Sequence, residues 1–523
     1  MSAADKLWQE AEAATDRKDF GRAEKLYQRA LAQRKDHAPS WIGLSTMLSR
    51  RGAHRAAHEA ALKAYALRPP IAPLIYATAQ RLRYFHEFER LVDCLAAPAL
   101  AKAPAQIVAK AAVMLSSIGA HDEAARLVDK ALQREPADAS ALHVRGNFHL
   151  FQGEVEQAEA AYEASLRSDP TLFQNSLMLA GARPVTAERN HVERLRQQLS
   201  RAKPRGTGEV YLGFALHKEL HELGRHEESW ESLQRACANK RRQVQYAAGD
   251  SEALLESVAG VCTKAFLGAS SAVEQPHVPI FIVGMHRSGT TLLERMLAGH
   301  SEVGDAGETS AFHAQLELAL DRAAPAGMDA SFARQMKDAD FDAIARGYAG
   351  SARWLSRGNR YFTEKLPQNF FNVGFIARAI PQARFLHLVR DPVDTCFSNL
   401  RTLFSGAALY SYDQQELGQF FLLYQRMMRH WHEVLPGRVL DISYDELVQD
   451  PEAMAKRVAA HCAIPFEPGM VDIGRASGTV ATPSATVARQ GFRRDRGRVW
   501  QPYESHLQTL ITSLQPAYEA AGA

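Results

Sequence analysis

Arg287-Ser288-Gly289-Thr290-Thr291 follows directly on Gly284-Met285-His286, so one cation, three hydroxyls and two glycines fall within eight residues. Residues of these types hold an anion. The backbone N–H groups of a Gly-rich turn and a helix N-terminus converge on one point, and a guanidinium adds full charge there. Gly284 and Gly289 keep the spacing of the triphosphate-binding loop G-x-x-x-x-G-K-[ST], but the Lys position is Thr290. The fixed charge sits inside the loop, at Arg287. This exchange suits a grip on a single 5′-phosphate bearing a transferable group better than a grip on three phosphates in a row. The bland alternative is a Gly-rich αβ turn with a surface Arg.

A second pair, Arg390 and Ser398, stands eight residues apart. An Arg at a strand tip and a Ser on the helix that follows make a fork and a hydroxyl for a terminal phosphate. Arg390 tied to Asp391 or Asp394 at the surface is the competing reading. Arg401, about one turn beyond Ser398, is a further candidate. The elements that must position these groups are legible around them. Ile280-Phe281-Ile282-Val283 is an apolar run suited to a strand buried on both faces, and 292–298 is helical. Arg384 to Val389 makes a second buried strand, Pro392 suits a first helical turn, and a helix is expected over 393–403. Between the strands lie two charged residues in apolar or small surroundings. Glu308 follows a Gly304-Asp305-Ala306-Gly307 turn, and Lys365 ends the strand-like run 361–364.

The Arg-Ser-Gly-Thr-Thr run after an apolar strand resembles the 5′-phosphosulfate loop of sulfotransferases that use 3′-phosphoadenosine 5′-phosphosulfate (PAPS). It looks most like the tyrosylprotein-sulfotransferase-related branch, and the resemblance spans roughly residues 275–510. It implies that Arg287, Ser288, Gly289, Thr290 and Thr291 bind the donor's 5′ end, and that Arg390 and Ser398 bind its 3′-phosphate. Related enzymes have a catalytic Glu and a Lys at similar spacing, which implies Glu308 as general base and Lys365, with Arg287, as transition-state stabiliser. A Tyr where the loop after strand 438–443 becomes a helix implies nucleotide contact for Tyr444; an aromatic packed beneath the sheet is the alternative. The tail resembles a loop that folds over the donor, which implies a second stabilising role for Ser484 and a 3′-phosphate clasp by Arg489 or Arg498. Gly491 stands where the related pattern has Pro, and Val499 lengthens the run to Trp500, so the register of this tail differs from the family's. The basic run Arg493, Arg494 and Arg496 reads equally as a solvated face. The leaving group carries no polyphosphate and no His/Cys/Asp cluster is visible, so no metal is expected.

A chain of 523 residues exceeds one ordinary core and calls for two or more domains. Its 46% hydrophobic content and net charge of +3 describe a globular protein without the excess of positive charge that nucleic acid or an anionic membrane would demand. No apolar run reaches the ~18 residues of a membrane span, and residues 1–12 are polar and helical rather than a leader. Five scattered cysteines, Cys94, Cys237, Cys262, Cys396 and Cys462, suit buried reduced thiols in a cytoplasm.

Upstream, Ala23, Tyr27 and Ala30 recur 34 residues later as Ala57, Ala61 and Ala64, and Ala124, Val128 and Ala131 recur as Ala158, Tyr162 and Ser165. This is the tetratricopeptide spacing of small residues where antiparallel helices touch. A degenerate repeat is expected at 72–104, with Trp41, Leu44 and Leu48 filling the stacked core. A further pair fits 213–236, and 171–205 is helical but off-register.

The expected fold is an α-helical tetratricopeptide solenoid (1–250), a linker or capping helix (251–275), and an α/β, P-loop-like sulfotransferase domain with a central parallel sheet (276–523). The expected activity is PAPS-dependent sulfuryl transfer to a hydroxyl, with protein tyrosine as the acceptor class nearest the resemblance. A glycan or small-molecule hydroxyl, and a scaffold with an inactive sulfotransferase fold, are the alternatives. The solenoid suits a peptide or protein acceptor, a partner protein, or a second copy of the chain in a homodimer.

Overall fold

The computed structural model describes residues 2–324, 327–473, 492 and 498–522. Ser484, Arg489, Gly491, Arg493, Arg494 and Arg496 lie outside the described residues. Compactness divides the chain into two units: Met1–Val144 with Thr309–Met328 and Gln335–Leu355, and Arg145–Glu308 with Asp329–Arg334 and Ser356–Ala523.

The first unit is built on helix pairs. Ala3–Asp16 pairs with Phe20–Gln33, Ala38–Arg51 with His54–Ala66, Ala72–Tyr84 with Phe88–Leu95, and Ala105–Ser116 with His121–Arg134. The residues that mark the period are buried at their contacts: Ala23, Tyr27 and Ala30, then Ala57, Ala61 and Ala64, then Ala124, Val128 and Ala131. Leu44 and Leu48 are buried as expected, but Trp41 is not. It is partly buried and packs against the same core, while its indole N–H donates to the Lys35 carbonyl at 2.8 Å and the Lys63 ammonium lies 4.6 Å from its ring, so a polar handle and a cation hold one edge toward the surface. Two helices from far along the chain, Ala311–Leu320 and Phe341–Leu355, belong to this unit. The Arg55 backbone N–H donates to Asp321 Oδ1 at 2.6 Å, and its guanidinium donates to the Leu318 and Ala319 carbonyls at 2.9 and 3.0 Å. The Trp354 indole N–H donates to the Ile118 carbonyl at 3.1 Å.

The second unit contains a five-stranded parallel sheet: β1 (Val278–Gly284), β2 (Val303–Asp305), β3 (Tyr361–Lys365), β4 (Arg384–Val389) and β5 (Val439–Ser443), ordered β2-β3-β1-β4-β5. β1 is central. Ile280, Phe281, Ile282 and Val283 are fully buried, which is why the strand reads as an unbroken apolar run. Ile280, Ile282, Leu386 and Leu388 pack with the helices Thr290–Ala298 and Pro451–Cys462 on one face. On the other face Phe281 stacks on Phe385, and His387 meets Tyr424 of the helix Gln414–Val434.

β2 occupies part of the segment that the sequence presents as a turn. Three residues, one of them Gly304, are too few to show a period, and pairing with β3 makes the strand. The helices Thr207–Glu222, His226–Gln243 and Ala248–Val261 pack within this unit too. Arg241 donates to both Glu416 oxygens at 2.7 Å, and the Cys237 thiol to the Leu400 carbonyl at 3.4 Å. The compact units therefore cut across the boundary that composition suggests at 251–275, because packing follows buried surface and not the change from helix to strand.

Candidate functional site

The turn after β1 is shaped by two glycines and a strained arginine. At Gly284 (φ +153°) a Cβ would lie 3.0 Å from the Leu388 carbonyl oxygen, and at Gly289 (φ +112°) it would lie 2.6 Å from a Tyr444 ring carbon. Arg287 has φ +66°, a left-handed conformation that non-glycine residues adopt at a cost of ~1–2 kcal/mol. Strain of this kind persists only where its surroundings over-determine it. Here Arg287 Nε donates to Ser398 Oγ at 3.4 Å, and Asn399 Nδ2 donates to the His286 carbonyl at 2.6 Å, so the helix Pro392–Leu400 clamps the turn. Thr290 and Thr291 open the helix Thr290–Ala298, and no side chain caps its N-terminus. The Ser288 hydroxyl is buried without a hydrogen-bond partner. An uncapped N-terminus, an orphan hydroxyl and a guanidinium in one turn are a donor set of the kind that holds an anion.

Arg390 follows β4, with its side chain 13% exposed. Its guanidinium lies 4.6 Å from the Tyr444 ring and 3.9 Å from Asp394 Oδ2. Asp394 also accepts the Arg498 backbone N–H at 2.9 Å, and burial raises its carboxyl above the usual range despite Arg390. The structure thus brings Ser398 to Arg287, and Arg390 to Tyr444, Asp394 and the backbone of Arg498; the Arg498 side chain is exposed. The pairing of Arg390 with Asp394 that the sequence left open is present. Tyr444 begins the helix Tyr444–Gln449 and lies against Gly289. The helix Pro392–Leu400 ends earlier than expected. Arg401 turns to the His221 ring at 3.4 Å and away from the phosphate role considered for it.

Lys365 is the last residue of β3, opposite Ile282, and is fully buried. Its backbone N–H donates to the Gly307 carbonyl at 2.9 Å, and Ala306 N–H donates to the Thr363 carbonyl at 3.1 Å, so the loop after β2 runs on beside β3. This delivers Glu308 to Lys365, whose ammonium donates to Glu308 Oε1. Burial alone would lower the lysine's pKa, but Glu294 and Glu308 outweigh it and push it above its ordinary value. The ammonium is charged at neutral pH, and Glu308 remains half exposed.

Two residues near this pair carry no signal in the spacing of the motifs. Glu294 is buried in the helix Thr290–Ala298, its Oε2 3.8 Å from Lys365 Nζ. His286 lies in the turn, its Nδ1 3.1 Å from the Tyr410 hydroxyl; burial, aided by Lys365 and Arg287, brings its pKa down to about 4. The sheet also assembles a cluster that the sequence did not show. His387, His432 and Asp441 offer ligand atoms within 4.8 Å of one another. Asp441 Oδ1 takes hydrogen bonds at 2.7 Å from His387 Nδ1 and at 3.0 Å from His432 Nε2. Strand pairing of His387 with Asp441 accounts for most of that convergence.

Residues 279–468 match the sulfotransferase family, and residues 139–172 match a tetratricopeptide repeat. The chain therefore has a tetratricopeptide-plus-sulfotransferase architecture. It is 26% identical over 408 residues to an uncharacterized protein of Aquifex aeolicus (strain VF5), covering 76% of this chain and 53% of that one. It is 27% identical over 111 residues to the omega-hydroxy-beta-dihydromenaquinone-9 sulfotransferase Stf3 of Mycobacterium bovis, covering 19% of this chain and 28% of the relative. The chain thus spans about half, or less, of the length of these relatives. Among solved structures, the sulfotransferase domain of the Synechococcus PCC 7002 olefin synthase overlays with a TM-score of 0.34 at 17% identity, covering 48% of this chain and 97% of that domain. Among the described residues no helix is long and apolar enough to cross a membrane.

Proposed function

We propose that the protein transfers a sulfuryl group from PAPS to an acceptor hydroxyl, and that the acceptor class is tyrosine in a peptide or protein. The observation that carries this reading is the buried Lys365 ammonium bonded to a half-exposed Glu308, in the same sheet unit as an anion cradle containing Arg287. A carboxylate open to solvent on one side and fixed by a cation on the other suits a base that meets an incoming hydroxyl. The acceptor oxygen attacks sulfur, the bond from sulfur to the phosphate oxygen breaks, and 3′-phosphoadenosine 5′-phosphate departs while Glu308 takes the acceptor proton. Lys365 and Arg287 meet the negative oxygens of the transition state, where loss of one donor commonly costs ~3–4 kcal/mol.

In this reading Ser288, Gly289, Thr290 and Thr291 hold the donor's 5′ end, and Arg390 with Ser398 receives its 3′-phosphate, Arg489 or Arg498 closing on it. Tyr444 contacts the nucleotide and Ser484 is the second stabilising group. No metal enters the scheme. The tetratricopeptide helices present the acceptor or a second subunit. Five buried, unpaired cysteines suit the reducing cytoplasm. A small-molecule hydroxyl is the second reading, supported by the mycobacterial relative, whose name gives a hydroxylated dihydromenaquinone as substrate.

Calorimetry with 3′-phosphoadenosine 5′-phosphate in the presence of EDTA should show binding that Arg390→Ala abolishes. Tight ATP binding that requires Mg²⁺, with none for the 3′-phosphorylated nucleotide, would overturn the donor. Radiolabelled PAPS incubated with host lysate, followed by sizing of the labelled product, separates a protein acceptor from a metabolite.

A further inference from the structure

Lys365 is enclosed by two carboxylates, and the proposed mechanism uses one of them. Glu308 accepts its hydrogen bond from the exposed side, and Glu294 stands behind it at 3.8 Å. Glu294 occupies a helix whose residues 290–297 are all buried, and its Oε1 has no hydrogen-bond partner. An acid in that position serves no solvated face and caps no helix. A fully buried ammonium, in turn, is costly whenever it lacks an anion. Taking the acceptor's proton neutralises Glu308 and removes that anion during the chemical step.

We propose that Glu294 is a reserve counter-ion of Lys365, a positioning residue that takes over the ammonium when Glu308 becomes protonated. The inference rests on the sulfotransferase reading for its kinetic consequences but not for its electrostatics. Burial first, then the nearby carboxylate of Asp305, pushes the Glu294 pKa well above the ordinary range despite Lys365, so Glu294 holds a proton more readily than an ordinary carboxylate does. When the acceptor O–H gives its proton to a Glu308 oxygen, the balance reverses. Lys365 keeps its own proton and its charge turns to Glu294 Oε2. The proton on Glu294 leaves to solvent by way of the half-buried Asp305 carboxylate. One proton enters the cluster, one leaves it, and no other bond changes. Arg295 on its own helix is a further ionisable neighbour of Glu294, and β3, which packs on that helix, also carries Tyr361 and Glu364. Among the described residues, β1 and the turn Pro468–Val471, which pack there too, bring no ionisable side chain.

Two measurements on the full chain with bound 3′-phosphoadenosine 5′-phosphate test this. Infrared difference spectra of wild type against Glu308→Gln should show a protonated-carboxyl band in wild type that disappears in the variant, because the neutral Gln leaves Lys365 to ionise Glu294. Glu317, a second buried acid, is common to both samples and cancels. A band retained in Glu308→Gln, or missing from wild type, overturns the proposal whatever reaction the protein catalyses. Glu294→Gln, which copies the neutral acid but cannot ionise, should keep the nucleotide Kd and the KM. Its kcat should fall about tenfold and the acid limb of its pH–rate profile should move down by about one pH unit, Glu308 having become a weaker base. Wild-type kcat with an unmoved limb overturns the positioning role. If Glu294→Gln does not fold, the infrared result on the other two proteins decides alone.

Discussion

Replacing Glu308 by Gln removes the base without changing the shape of the side chain, so binding and turnover are expected to part company. Nucleotide affinity should stay within twofold of wild type while kcat drops by about 10²-fold or more. Titration and single-turnover kinetics on the same sample check this, and normal turnover across the pH range would remove Glu308 from the mechanism. Arg287 was visible in the sequence because it sits between two glycines spaced as in a phosphate loop, and Lys365 and Arg390 because each stands at the end of a strand, where a charge needs a reason. Glu294 was not. In Thr-Thr-Leu-Leu-Glu-Arg-Met-Leu-Ala an acid beside an Arg reads as the wet face of a helix, and its partner Lys365 lies two strands further on. Asp394 was read as a surface competitor for Arg390, whereas it is buried and also receives the backbone N–H of Arg498, a contact between distant segments that no local pattern announces.

The turn joining β1 to the helix Thr290–Ala298 depends on Gly289 twice, through its positive φ and through the Tyr444 ring where a Cβ would go. Gly289→Ala should therefore cost ~1–3 kcal/mol of stability and weaken nucleotide binding about tenfold or more; unchanged Tm and Kd would show that the ring gives way freely. A second expectation concerns the helices Thr207–Glu222 and His226–Gln243. His221 Nδ1 lies 2.8 Å from the Tyr503 hydroxyl, and burial first, then Arg401 and His226, brings its pKa down to about 3. A histidine whose folded value lies below its unfolded value of about 6.5 adds stability that is complete above that pH and is lost as the pH falls toward the folded value. Tm should decline between about pH 7 and 5 in wild type and decline less in His221→Gln; parallel slopes would exclude this group. At this scale β1 and β4 were legible because burial of their central residues leaves a largely apolar run with sharp ends, and β3 and β5 because a short strand-like run stands before Leu366-Pro367 and before the turn into Tyr444. β2 was not, because its pairing with β3, and not its three residues, makes it a strand.

For the whole molecule, the tetratricopeptide period was readable because each helix pair repeats the same contact. What the period cannot show is where distant helices are taken up. Ala311–Leu320 and Phe341–Leu355 are tied to Arg55 and Ile118, while Arg241 and Cys237 are tied to Glu416 and Leu400. A chain beginning near Ser271 would strip partners from both sets. It is expected to lack a cooperative unfolding transition and to aggregate, which light scattering and calorimetry would detect; a soluble fragment that binds nucleotide with native affinity would show these ties to be dispensable. Acceptor choice by the repeats must then be tested with surface substitutions in the full chain. The same interleaving reaches into how such a protein can change over generations. A crossover between genes placed anywhere from the codon for Val144 to that for Leu320 would pair one lineage's Arg55 with another lineage's Asp321. New acceptors should therefore arise by drift of exposed side chains, with the two halves of the chain inherited as one.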